Sequence, residues 1–114
     1  MANKVQTGLL GQNEALKFLL ARGMTLKEAN FRAPGAEIDL IMKDGLYIVF
    51  VEVKYRQKNK FGLPREAVDS RKQKKIKKAA LHYIARHSLQ NQDFRFDVVE
   101  LLGSEVNHIE NAFW

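Results

Sequence analysis

EIDLIMKDGLYIVFVEVK, residues 37–54, holds two apolar runs around Asp44-Gly45 and sets Glu37, Asp39, Glu52 and Lys54 among them. An Asp-Gly pair between apolar runs is the strongest short-range hairpin signal, so 37–42 and 46–55 read as paired strands. Successive side chains alternate across a strand. Glu37, Asp39 and Ile41 therefore share one face, and so do Phe50, Glu52 and Lys54. With a two-residue loop at 44–45, Lys43 faces Leu46 and Asp39 faces Phe50, which leaves Glu52 the diagonal neighbour of Asp39, roughly 5–8 Å away. A loop one residue longer would turn the second strand over and separate the two acids.

Antiparallel sheets often keep one solvated, charged face. Here the face with the charges also carries Ile41, Ile48 and Phe50, while Tyr47, Val49, Val51 and Val53 line the other. Both faces ask for cover, so the charges need a use. Two neighbouring carboxylates repel unless a cation sits between them, and Mg²⁺ takes one or two carboxylates, filling its other positions with water and phosphate oxygens. Lys54, two residues beyond the second acid, points the same way and can hold a phosphate or lower the pKa of an attacking water. That is equipment for metal-assisted phosphodiester hydrolysis.

Outward from the hairpin, residues 9–22 have helical spacing, with Leu9, Ala15, Leu16, Leu19 and Leu20 on one stripe and Gly23 as the stop. Thr25–Phe31 reads as a short edge strand, followed by a turn at 33–36. Residues 57–64 form a polar loop. A second helix over about 65–87 places Ile76, Ala79, Ala80, Tyr83 and Ile84 inward. Residues 94–102 and 105–110 complete the strands, and Ala112, Phe113 and Trp114 form a terminal apolar plug. The order of helix, three strands, helix and two strands predicts an α/β chain with a mixed sheet covered by helices.

A chain of 114 residues reads as one domain over 1–114, large enough for a core without staples. With no cysteine there is no disulfide framework and no cysteine zinc site, and three scattered histidines suggest no histidine metal site. Neither a signal-peptide pattern nor a membrane-spanning run is evident, so the expected compartment is the cytoplasm. The net charge of +6 points to a polyanionic partner.

Asp39, a hairpin, then Glu52-Val53-Lys54 resembles the PD-(D/E)xK nuclease motif. The wider chain resembles the bacterial YraN-like endonuclease family. Gly8 and Gly11 stand before a helix ending at Arg22-Gly23, and Asn30, EIDLI at 37–41, FVEVKYR at 50–56, Lys72 and RFDVV at 95–99 follow in the family's order. The resemblance covers nearly the whole chain. It implies a restriction-endonuclease-like mixed β-sheet flanked by helices, shared with Holliday-junction resolvases, and Mg²⁺ or Mn²⁺ as cofactor. It further implies that Asp39, Glu52 and the Val53 carbonyl hold the metal while Lys54 attends the water and phosphate. Family members usually carry an acid where this chain has Gln12. At roughly 100° per residue Gln12 lies within the apolar stripe, and Glu14 is turned about 200° away toward solvent. The Gln12 amide can hold a water at the site or serve as a buried structural amide. Either way it supplies no negative charge.

Residues 71–78, RKQKKIKK, hold six cations. On the helix wheel Arg71, Lys74, Lys75, Lys77 and Lys78 point outward or sideways, while Lys72 and Gln73 turn toward the inner face near the strands. A solvated face is the ordinary use of such a run. Outward cations with no acid between them repel, however, and a phosphate backbone relieves that repulsion while releasing counterions. Arg56, Arg71, Lys72, Lys74, Lys75 and Lys78 are the expected nucleic-acid ligands, with Lys58, Lys60 and Arg65 flanking them. Tyr55 and Phe61 lie near the rim, and Arg95 with Asp97 is expected to form an internal ion pair. No base-reading motif is present, so the partner is nucleic acid, DNA ahead of RNA, recognised by structure. Two alternatives stay open: a non-catalytic nucleic-acid-binding domain on the nuclease fold, and a protein that acts through a partner, including a homodimer.

Overall fold

The computed structural model describes residues 4–56 and 68–113, with side chains from residue 10 onward. Lys58, Lys60, Phe61, Arg65 and Trp114, together with the 57–64 loop, lie outside the described residues, as does the side chain of Leu9. The elements are α1 (Lys4–Ala21), β1 (Thr25–Ala33), β2 (Ala36–Asp44), β3 (Tyr47–Tyr55), α2 (Ser70–Arg86), β4 (Phe94–Leu102) and β5 (Glu105–Phe113). The strands form one sheet in sequence order, antiparallel except for the parallel pair β3 and β4. Parallel neighbours need a crossover, and α2 lies within it. The expected restriction-endonuclease-like arrangement, a mixed sheet between helices, is what the chain adopts. No helix among the described residues is long and apolar enough to cross a membrane.

Both faces of the hairpin are buried, as the alternation predicted. Ile41, Ile48 and Phe50 pack with Ile76, Ala79, Ala80, Tyr83 and Ile84 of α2. Leu40, Met42, Val49 and Val51 pack with Ala15 and Leu19 of α1. Ala112 and Phe113 of the terminal plug continue β5, and Phe113 stacks on Phe96 with ring centroids 5.0 Å apart. The second helix starts at Ser70 because Asp69 caps it, its carboxylate accepting the Lys72 N–H at 2.8 Å. Gln73 Nε2 donates back to the Val68 carbonyl at 2.8 Å, which fixes the first turn.

The hairpin register differs from expectation by one residue on the first strand and one on the second. Asp44 pairs with Tyr47, so the loop is Gly45-Leu46, and Leu40 pairs with Val51. Gly45 takes a φ of 59°, and a lone positive φ at the first loop position is what a II′-type turn needs. Two single-residue steps preserve side-chain parity. The acids therefore stay neighbours, and continuing the ladder one pair past Leu40 and Val51 sets Asp39 opposite Glu52 rather than diagonal to it.

Candidate active site

Strict alternation in β2 breaks at the first acid. Ile38 and Ile41 are three residues apart yet both join the cluster under α2. In β1, Asn30 falls between the pairs Ala29↔Leu40 and Phe31↔Ile38 and has a φ of 55°. Asparagine tolerates that left-handed conformation better than most residues. This irregularity lies alongside Asp39, whose carboxylate reaches across to β3 and accepts the Val53 N–H at 2.8 Å. Asp39 thus fails to share a simple face with Glu37 and Ile41. Its side chain closes the gap where the regular β2–β3 ladder stops.

Glu52 is only 6% exposed. Its carboxyl is pushed up to about 7, first by burial and then by the charge of Asp39, with Lys72 opposing. Burial also raises Asp39, against the lowering effect of the Val53 N–H and of Lys72. Lys72 crosses from the first turn of α2 to place Nζ 2.5 Å from Glu52 Oε1. Burial disfavours its charge, but Glu52, then Asp39 and Asp69, raise its pKa overall. The inward turn of Lys72 expected from the helix wheel is therefore observed, and the residue belongs to the acid cluster as well as to the basic helix.

Lys54 is half-buried one side-chain period beyond Glu52 and stands opposite Glu100 in the β3–β4 register. Arg56 is committed differently from the expected phosphate rim. Its Nε lies 2.5 Å from Glu100 Oε2, and only 17% of its side chain is exposed. Asn107 Nδ2 donates to the other Glu100 oxygen at 3.1 Å. Arg71, Lys74, Lys75 and Lys78 are exposed along α2 as expected, but Lys77 is half-buried, with its ammonium 6.0 Å from the Phe113 ring centroid. Gln12 is half-buried and Glu14 exposed, in line with the helix wheel. The neighbouring Gly11 permits the close approach of α1 to the end of β3, since a Cβ there would fall 2.1 Å from the Tyr55 ring. Tyr55 thus packs against α1 at Gly11 and remains 41% exposed.

Two polar side chains lie buried outside the site expected from the sequence: Glu100, fully buried within VVELL, and His108, whose side chain bonds Asp97. For Glu100 the signal was present, a charge flanked by apolar residues on both faces, as at Glu52.

The donor set fits a hard divalent cation. Asp39 and Glu52 offer two carboxylates whose mutual repulsion and burial a cation would relieve, and Val53 offers a backbone carbonyl, a set that suits Mg²⁺ or Mn²⁺ completed by water. Among the described residues no three of His, Cys, Asp and Glu gather, so the protein would supply at most these two carboxylates and the carbonyl there.

The strain in this pair has a pH signature. Glu52 has its folded pKa raised from 4.5 to about 7, so its contribution to stability is fully present below pH 4.5 and is lost as pH rises through 7. Glu52→Gln should therefore be less stable than the wild type near pH 5, or equal to it, and more stable above pH 8. The difference between the two proteins should swing by up to about 3 kcal/mol, measurable by urea denaturation at several pH values.

Residues 11–101 match the family model described as "Uncharacterised protein family UPF0102". A UPF0102 protein of Thermodesulfovibrio yellowstonii is 43% identical over 113 residues, covering 97% of this chain and 98% of its own. One from Clostridioides difficile is 44% identical over 113 residues, covering 97% and 99%. One from Alkaliphilus metalliredigens is 45% identical over 109 residues, covering 93% and 96%.

Proposed function

The chain belongs to the uncharacterised protein family UPF0102, and we propose that it is a metal-dependent endonuclease that hydrolyses phosphodiester bonds in nucleic acid, selecting substrates by structure as Holliday-junction resolvases do. The observation that carries this reading is the meeting of the half-buried Asp39 with the buried Glu52 at the end of the β2–β3 ladder, against their own repulsion. A pair that costs stability and has no structural need for two charges is what a functional site leaves behind. Asp39, Glu52 and the Val53 carbonyl would hold Mg²⁺ or Mn²⁺. When bound, the cation supplies polarisation of a phosphoryl oxygen and a water of lowered pKa.

The protein's own groups do the rest. Lys54, on the Glu52 side of β3, holds the scissile phosphate and favours deprotonation of the attacking water. Arg71, Lys74, Lys75 and Lys78 track the phosphate backbone along the outer face of α2, and their contribution weakens with salt. None of these groups reads base edges, so DNA or RNA geometry, rather than sequence, decides what is cut.

A second reading, a binding domain that keeps the nuclease fold without turnover, is favoured by one observation. Gln12, half-buried on α1, puts a neutral amide where relatives of this type are expected to have an acid. Cleavage of labelled branched, single-stranded and duplex substrates, with and without Mn²⁺, separates the two. The nuclease reading expects Mn²⁺-dependent cutting by the wild type and a rise of about 10–100-fold in Gln12→Glu. Cutting by Gln12→Glu alone would establish the binding reading for the natural chain.

A further inference from the structure

Lys72 has two attachments that point in different directions. Its backbone is fixed, because Asp69 holds its N–H at the helix cap and Gln73 locks the same turn to Val68. Its side chain is 56% exposed, yet the ammonium contacts Glu52, whose side chain is 7% exposed. A lysine is a compact charge on a flexible stem, with three donors that can be redirected without moving the backbone. At present it supplies a single positive charge to an acid pair that carries up to two negative charges. The neutralisation is therefore partial, with the ammonium ion-paired to Glu52 of the two acids.

An ammonium and a divalent cation cannot both sit against Glu52 Oε1. Each would face the other's charge at close range, where Coulomb repulsion is strongest. Displaced by one χ rotation, the Lys72 ammonium stays at the mouth of the site, on the helix that carries Arg71, Lys74, Lys75 and Lys78. We propose that Lys72 is a releasable counter-ion: it holds Glu52 until a divalent cation takes that oxygen, and the freed ammonium then binds a phosphate of the nucleic acid. Metal loading and nucleic-acid binding are thereby coupled through one side chain. Linkage requires the coupling to run both ways, so phosphate drawn to Lys72 raises metal affinity by the same factor. The inference rests on Asp39 and Glu52 being the metal ligands.

The test is calorimetric titration of Mn²⁺ into the wild type, Lys72→Met and Lys72→Arg. It is paired with binding of a short labelled DNA, measured with and without Ca²⁺, a hard cation chosen as a probe of binding separate from cleavage. Lys72→Met should bind Mn²⁺ on the order of tenfold more tightly than the wild type, the size of one lost charge-assisted hydrogen bond. Lys72→Arg should stay near the wild type. Ca²⁺ should strengthen DNA binding by the wild type more than by Lys72→Met, a loss of coupling that a merely structural lysine would not produce. Should the Met variant fail to fold, Lys72→Gln, which keeps a donor for Glu52, replaces it. Equal Mn²⁺ affinity in a binding wild type and in Lys72→Met overturns the counter-ion role and leaves the metal-ligand reading standing. No Mn²⁺ binding by either protein overturns both.

Discussion

Asp39→Asn should lose at least about 10³-fold in cleavage while folding normally and becoming more stable at neutral pH. Losing one of two carboxylate ligands removes several kcal/mol of charge stabilisation, and each 1.36 kcal/mol is a factor of ten in rate. The fold has little reason to object. The asparagine side-chain oxygen can still accept the Val53 N–H that Asp39 takes at 2.8 Å, so the closing contact between β2 and β3 survives. The Coulombic push that Asp39 exerts on Glu52 disappears, and the Glu52 carboxyl returns toward its ordinary value. Activity falls and stability rises from the same substitution. A purely structural aspartate would give the opposite pattern, and measuring cleavage rate and urea midpoint on one preparation distinguishes the two.

The largest stability loss is expected elsewhere, at Asp97. This residue is fully buried on β4 and accepts from Arg95 at 3.0 Å, from the Asn111 N–H at 2.9 Å and at His108 Nε2 at 2.7 Å. Arg95 also bridges to Asp44 at 2.9 Å, at the hairpin end of β2. The cluster ties three strands together beneath α1, where the His108 ring meets Phe18 edge-on. Removing the acid at its centre leaves the largely buried Arg95 guanidinium with Asp44 and takes the partner from the Asn111 N–H and His108, so Asp97→Ala should cost about 3–5 kcal/mol, a large fraction of the stability of a domain this size. Burial alone would raise the Asp97 pKa, but the bonds from His108, Arg95 and Asn111 outweigh it and lower it below 3.8. Its contribution is accordingly present above that value and lost as pH falls through the lowered pKa. The sign is opposite to that of Glu52. Wild-type unfolding at acid pH should carry the Asp97 contribution, and Asp97→Ala should flatten it.

Much of this was legible in the residues because the signals were local. Asp44-Gly45 announced the hairpin, and the spacing of Ile76, Ala79, Ala80, Tyr83 and Ile84 marked the buried face of α2. Charges among β-branched and aromatic residues marked the acid pair. The exact register was less accessible. Whether Gly45 stands first or second in its loop depends on a backbone dihedral, and only the parity of the outcome was insensitive to it. The break at Asp39 depends on Asn30 in a neighbouring strand, a pairing that no local pattern encodes. Arg56 illustrates the same limit from the other side. A basic residue at a strand end looks like a phosphate ligand until β4 brings Glu100 beside it. The helix wheel, by contrast, foresaw Lys72, because its inward turn follows from α2 alone.

As proposed, Asp39 and Glu52 together hold one divalent cation. Electron paramagnetic resonance of free Mn²⁺, titrated against the wild type, Asp39→Asn and Glu52→Gln at pH 7.5, tests it directly. One ion should disappear from the free signal per wild-type chain, with little uptake by either variant. Full uptake by Asp39→Asn, or none by the wild type, would contradict it.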